Sequence, residues 1–264
     1  MRFNITMNRT GTRCMLPMNY QYYISAWIYK VLRQADAEFA AFLHNKGYGN
    51  SHTKLYKLFC FSRLNFGKPK LWKERKLFEI NSPTLSLGVS FDVPRIATTF
   101  IKGLFVEQDF YLGNKFNGID LQVTNVTALP EPDFNETMHY CLQSPWVVSY
   151  QPDNTKPAHY LTPEDENFHE RSVKHIMEKY RNTRFRDLAE DMIVFKPSPT
   201  YKRSGFVIKP ETPHQTRVIG NIFDFDLTAP IEVHHMIWGS GTSEKSSLGF
   251  GWCELNDNAK IIDQ

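Results

Sequence analysis

The densest collection of chemistry-bearing residues is a glycine-rich run at 239–251, where Gly239, Gly241, Gly249 and Gly251 surround Lys245 and Ser246. Glycines let a backbone turn sharply and present N–H groups to an anion, and a lysine adds a point charge. The run is not a Walker A loop. That motif needs Gly just before its Lys-Ser pair, and Glu244 stands there. A tight turn without a ligand would use the same glycines. A second collection spans residues 54–76. Lys54, Lys57, Arg63, Lys68, Lys70, Lys73, Arg75 and Lys76 stand against the single acid Glu74, with Tyr56, Phe59, Phe61, Phe66 and Trp72 interleaved. Cations for phosphates and rings for bases are what single-stranded nucleic acid binding uses. A solvated hairpin with core-facing rings reads the same way.

Metal and cofactor chemistry finds less support. His234 and His235 are adjacent and cannot share one helix face. His169-Glu170 lacks the second histidine of a HExxH site, because Val173 occupies its place. Asp224 and Asp226 share one strand face and could start a metal-nuclease cluster, but without convergent partners they read as solvated strand residues. No nucleophile elbow or dinucleotide fingerprint is present, and no metal or cofactor is implied.

The elements that must position these residues follow from periodicity. Residues 2–7 alternate as a half-buried strand. Residues 19–33 are helical: Tyr20, Tyr23, Ile24, Trp27 and Val31 form one face, with Tyr22, Ser25, Tyr29 and Arg33 opposite. Asp36 suits the cap of a second helix ending near His44, and Gly47 and Gly49 break it. Strands are expected at 57–64 and 84–93, joined by a connection with its tip at 68–76. Pro94 opens a helix through Leu104, and residues 115–129 return as strand. The order β-α-β-β-α-β is a ferredoxin-like unit. A Pro- and Asp-rich linker at 130–136 divides a first domain, 1–129, from a second, 130–264. The second half repeats the order less clearly, with strands at 139–150, 191–195, 216–228 and 248–255 and helices at 164–180 and 230–238. The expected fold class is α+β, two ferredoxin-like domains in tandem.

Composition narrows the setting. A hydrophobic share of 41% with 14% aromatics supports a packed core rather than disorder. No apolar run approaches the roughly 18 residues of a membrane helix, and the polar N-terminus does not read as a signal peptide. Cys14, Cys60, Cys141 and Cys253 are scattered, which argues against zinc knuckles and a disulfide framework. A cytoplasmic protein with reduced thiols is expected. Residues 1–125 hold 17 Lys/Arg against 8 Asp/Glu, whereas residues 126–264 hold 14 against 20, so the first half favours a polyanionic partner.

Several segments together resemble a known family. They are the glycine loop Gly-Ser-Gly-Thr-Ser-Glu-Lys-Ser-Ser-Leu-Gly-Phe-Gly before the last strand, Leu16-Pro-Met-Asn-Tyr-Gln-Tyr-Tyr followed by Trp27-Ile-Tyr29, Phe42-Leu-His44, and Lys57-Leu-Phe-Cys-Phe-Ser. They look like the CRISPR-associated repeat-RNA endoribonucleases, the Cas six family. The resemblance spans both halves, although residues 130–230 carry no motif of it. It implies tandem ferredoxin-like domains and metal-independent cutting of CRISPR precursor RNA within each repeat. The ribose 2′-OH would attack the adjacent phosphate, leaving 2′,3′-cyclic phosphate and 5′-OH ends. It also implies His44 as the catalytic histidine, a lysine at Lys57, and Tyr29 orienting the histidine or the phosphate. Lys46, His52 and Lys54 lie between His44 and Lys57, so more than one lysine could serve. Lys54, Arg63, Lys68, Lys70, Lys245, Ser246 and the loop glycines are the expected RNA contacts, with repeat RNA and other subunits of a CRISPR effector complex as partners. A catalytically silent repeat-RNA-binding subunit is the alternative, and a metal-dependent nuclease using Asp224 and Asp226 a third reading.

Overall fold

Alternation along β1 (Arg2–Arg9) buries Ile5 and Met7 under helices, while Arg2 on the opposite face is buried by the second half of the chain. The protein is described from a computed structural model covering residues 1–49, 54–151 and 158–256. The first half continues with β2 (Met15–Pro17), α1 (Gln21–Ala35), α2 (Ala37–Asn45), β3 (Phe59–Phe61), β4 (Lys70–Trp72), β5 (Leu77–Glu79), β6 (Thr84–Phe91), α3 (Pro94–Val106), β7 (Asp109–Gly113) and β8 (Gly118–Leu129). Its main sheet runs β3-β6-β1-β8-β7, antiparallel throughout. Without the edge strand β7, the order of β1, β3, β6 and β8 is that of a ferredoxin-like unit, with α1 and α3 as its crossover helices. Trp27, Ile28 and Val31 of α1 and Ile96 and Phe100 of α3 fill the core between helices and sheet.

The second half contains β9 (Thr137–Leu142), β10 (Ser149–Tyr150), β11 (His159–Tyr160), α4 (Phe168–Arg184), β12 (Val194–Pro197), β13 (Lys202–Ile208), β14 (Thr216–Ile222), β15 (Asp224–Thr228), α5 (Ile231–Ser240) and β16 (Cys253–Leu255). Its sheet runs β12-β15-β9-β16, the same order again, with a separate β13-β14 hairpin. Tyr140, Trp146, Phe195, Phe225 and Val233 centre the second core. The fold is therefore a tandem pair of ferredoxin-like units. Among the described residues no helix is long and apolar enough to cross a membrane.

Several expected boundaries move. The strand expected at 57–64 shortens to β3, because its neighbours turn away to meet α2 and the glycine loop. The strand expected at 115–129 is a hairpin: β7 precedes it, and Lys115 sits in the turn, where Asn114 Oδ1 accepts from the backbone of Phe116 and Asn117. The stretch 216–228 is two strands, since the chain leaves β13's partner at Phe223 and joins the second sheet. The last strand is only β16, and residues Ser246–Leu248 form a 3-10 turn.

Candidate active site

Asp36 organises the helical hairpin that carries two of the candidate residues. Its N–H bonds the Leu32 carbonyl at the end of α1, and its carboxylate accepts from Phe39 N at 2.9 Å, capping α2. This holds the pKa of Asp36 below the usual carboxylate range, with Arg95 helping. Tyr29 then faces His44 across the hairpin, with ring centroids 4.9 Å apart and planes at 81°. The His44 imidazole is exposed, and its Nδ1 lies 3.0 Å from Asn45 Oδ1. A groove of about 420 Å³ opens there, lined by Tyr29, Lys30, Arg33, Ala37 and His44. Tyr29 also packs on Phe59 of β3, and the Ser247 side chain lies near its hydroxyl. Burial raises the Tyr29 phenol above its ordinary pKa, so it stays protonated.

Lys57 closes the turn after α2. Its Nζ donates to the carbonyls of His44 at 2.7 Å and Lys46 at 3.1 Å, two of the carbonyls a helix end leaves free. Burial lowers its pKa. An ammonium has three donors, so one N–H is left over. His52, between these residues in sequence, lies outside the described residues.

The glycine loop reaches the site from α5. Gly241 (φ +77°) ends that helix, and Gly249 (φ +86°) and Gly251 (φ +73°) turn the chain back. A Cβ on Gly249 would stand 2.5 Å from the Phe61 ring, and one on Gly241 would stand 2.9 Å from Cys60 Sγ. The glycines thus let the loop lie directly on β3. Gly239, in the last turn of α5, does the same against Asp92. This corrects the phosphate-cradle expectation for these residues. The N–H groups of Gly241, Gly249 and Gly251 already bond the carbonyls of Ile237, Ser246 and Pro145, and Gly239 is buried within its helix. Ser246 is buried too, its hydroxyl donating to Ser243 O. Lys245 is exposed at the loop tip. Ser25 of α1 donates to Ser247 O at 2.8 Å, so helix α1 holds both Tyr29 and the loop.

The basic stretch is split by the fold. Tyr56, Phe59, Phe61 and Phe66 are buried, which corrects the expectation that they offer rings to bases; only Trp72 of the five is exposed. The 54–76 cations do not form one stripe. Lys54 pairs with Glu244 at 3.0 Å, Arg63 lines a cleft with Tyr20, Gln21, Ser204 and Gly249, Lys68 is exposed beside it in sequence, and Lys70 lies over Trp72. Asp226 pairs with His139 at 2.6 Å, and among the described residues no three His, Cys, Asp or Glu side chains converge as metal donors. His234 and His235 are tied to Tyr140 and Glu131.

Sequence reasoning missed Ser25, Ser247 and two residues of α4. Lys179, although buried, donates to Ser240 O at 3.0 Å and Gly241 O at 2.7 Å, closing the end of α5. His175, one turn earlier, is buried beside Lys54. The signal was present: Phe168, Ser172, His175, Ile176, Lys179 and Tyr180 fall at helical spacing on one stripe, so two basic residues occupy an inward face.

Comparison with known families decides the lineage. Residues 15–126 match the family described as CRISPR-associated protein Cas6, N-terminal, and residues 129–255 match CRISPR associated protein Cas6, C-terminal. The chain belongs to the Cas6 family. Solved structures agree on the Cas6 fold. The product of a Cas6-related gene from Pyrococcus furiosus is 20% identical, with a TM-score of 0.80 over 97% of this chain and 98% of that one. A RAMP protein described as binding different RNA substrates has the same identity, 20%, and TM-score, 0.80, over 97% and 100% of the two chains. A CRISPR associated protein Cas6 is 21% identical, with a TM-score of 0.73 over 97% and 99%. Comparison with curated protein sequences gives no match.

Proposed function

We propose that this protein is a metal-independent endoribonuclease that cuts CRISPR precursor RNA within its repeats. The observation that carries this reading is the exposed His44 imidazole at an open groove, edge-on to Tyr29, with the Lys57 ammonium 2.7 Å from the His44 carbonyl. Cas6 membership supports the substrate class, as does the RNA binding of the similarly folded RAMP protein. In the reaction the 2′-OH gives up its proton as its oxygen attacks the adjacent phosphorus. The P–O5′ bond then breaks, and the 5′-oxygen takes a proton. Imidazole exchanges protons near neutrality, which suits His44 to one of these transfers. Tyr29, a neutral phenol packed against the imidazole, orients the histidine or the phosphate. The spare N–H of Lys57 suits it to stabilise charge that develops on the phosphorane. Lys54, Arg63, Lys68, Lys70 and Lys245 would hold the backbone of the RNA. We further infer that residues 1–129 and 130–264 act as the two domains of a cytoplasmic protein, with other subunits of a CRISPR effector complex as partners.

The test is a labelled repeat RNA incubated in excess chelator. Wild-type protein should cut it, and His44→Ala should lose about 10²–10⁴-fold in rate while binding nearly as tightly. A single 2′-deoxy substitution upstream of the scissile phosphate should abolish cutting. Normal cleavage of the deoxy substrate would rule out internal attack. Tight binding with no cleavage of the all-ribose repeat would favour the silent subunit.

A further inference from the structure

The groove at His44 has one wall from each helix of the hairpin. Helix α1 supplies Tyr29, Lys30 and Arg33, and α2 supplies His44 beside small residues. Its volume of about 420 Å³ lies within the ~300–1,000 Å³ that seats small ligands. Among the described residues no acid lines it.

The two cations of the α1 wall differ in what they already hold. Lys30 Nζ is 3.0 Å from Glu107, at the end of α3. Arg33 is exposed, and among the described residues it makes no ion pair, side-chain hydrogen bond or ring contact. A basic residue in the last turn of α1 suits the helix dipole, but any cation would serve there.

Arg33 stands four residues after Tyr29, so the two share one face of α1, about one turn apart. Long side chains on a helix lean toward its N-terminus, which carries the Arg33 guanidinium back over the Tyr29 turn. The His44 ring meets Tyr29 at that turn, with centroids 4.9 Å apart. The groove therefore gathers an imidazole, a neutral phenol and an uncommitted guanidinium, with no carboxylate to oppose an anion. A guanidinium offers paired N–H donors that match two phosphate oxygens. Lys57 is not part of this lining, and two of its three N–H groups are spent on carbonyls.

We propose that Arg33 is a further catalytic residue, which grips the two non-bridging oxygens of the scissile phosphate in this groove. The assignment rests on the endoribonuclease reading above and deepens it. As O2′ bonds to phosphorus and the P–O5′ bond breaks, negative charge grows on those two oxygens. Arg33 meets that charge from the groove, and Lys57 from the His44 end. No proton passes through Arg33, because a guanidinium stays charged throughout.

Alanine is the strongest helix former, so Arg33→Ala keeps α1. Single-turnover cleavage of the repeat in excess chelator should fall roughly 10²-fold, the usual cost of one lost donor to developing charge. Arg33→Lys keeps the charge without the fork and should recover only part of that rate. Binding is measured by fluorescence anisotropy, with repeat RNA made uncleavable by one 2′-deoxy substitution. Arg33→Ala should weaken it about tenfold and reduce the log–log salt slope by about 0.7, the share of one phosphate on a single strand. A series of the same RNA then carries one methylphosphonate, an uncharged linkage, at each position around the cut. At the scissile position alone, the neutral linkage and Arg33→Ala together should cost no more than either does by itself. A dipole role would instead give losses that multiply at every position and full rescue by Arg33→Lys. Either result would overturn the assignment, as would coupling at a different phosphate. In each of these cases wild type still cuts the all-ribose repeat. Wild type that binds that repeat without cutting it would overturn the endoribonuclease reading, and Arg33 as a catalytic residue with it.

Discussion

Among the described residues, two lysines act through carbonyls, and burial separates their consequences. Lys57 holds the end of α2 from a half-exposed position, whereas Lys179 holds the end of α5 from the interior. Desolvation pushes the Lys179 ammonium down from its ordinary 10.5 to about 8, with Asp92 acting in the opposite sense. Below pH 8 the group is charged in both folded and unfolded chains, and the full cost of burying it is present. Between about 8 and 10.5 the folded chain sheds the proton first while the unfolded chain keeps it, so stability rises with pH. Lys179→Met lacks this rise. Wild type should therefore gain roughly 3 kcal/mol relative to the variant across that window. Urea unfolding at neutral pH and near pH 10 measures it, and an equal gap at both would show that Lys179 titrates normally.

The glycine loop is an element shaped by what it lies on. Its glycines serve contact with β3 and a left-handed backbone, while the exposed Lys245 remains at the tip to meet solvent. Gly249→Ala would put a methyl 2.5 Å from the Phe61 ring at φ +86°. Strain and overpacking together should cost roughly 3 kcal/mol and displace the Ser247 contacts with Ser25 and Tyr29. Gly67 is the control: its φ is +69° but nothing stands within 4 Å of a new Cβ. Gly67→Ala should lose only about 1 kcal/mol, and cleavage should be kept. Denaturant midpoints of the two variants compare them directly. Equal losses would mean that contact with Phe61 carries no weight.

At the scale of the whole molecule, the two ferredoxin-like units are joined by buried charge. Arg2 of β1 lies 3.2 Å from the Trp238 ring centroid and 4.2 Å from that of Trp252, donates to Trp238 O at 3.0 Å, and reaches Glu254 at 3.3 Å. Arg184 of α4 grips Asp92 of the first unit through two bonds of 2.8 and 2.6 Å. Such desolvated, geometrically matched contacts should make the halves unfold together, although each has its own core. Arg2→Met should cost about 2–4 kcal/mol, from the lost cation–π contacts and the unpaired carbonyl. Calorimetry should show one transition for wild type and a broadened or split one for the variant. Two resolved transitions in wild type would refute the coupling.

Local pattern was sufficient for part of this architecture. The alternation of β1, the apolar stripe of α1, the Asp36 cap and Pro94 at a helix start are short-range physics, and they place Tyr29 and His44 on the two helices of one hairpin. The family, too, was legible in the glycine loop and the segments around Tyr29, His44 and Lys57. Side-chain type alone could not say which way the rings of 54–76 face. An aromatic residue serves a core and a base equally well, and only the second unit and the helices packed around β3 decide that four of them are buried. Nor could it show that the loop amides were already spent on carbonyls of Ile237, Ser246 and Pro145, the last distant in the chain. His175 and Lys179 stand on an inward stripe that looks merely charged in sequence. What makes them tolerable there is a set of partners more than 60 residues away, for Lys179 the carbonyls of Ser240 and Gly241. Local propensity sees neighbours within a turn or two of chain, whereas the cost of burying a charge is settled by whatever the fold brings against it.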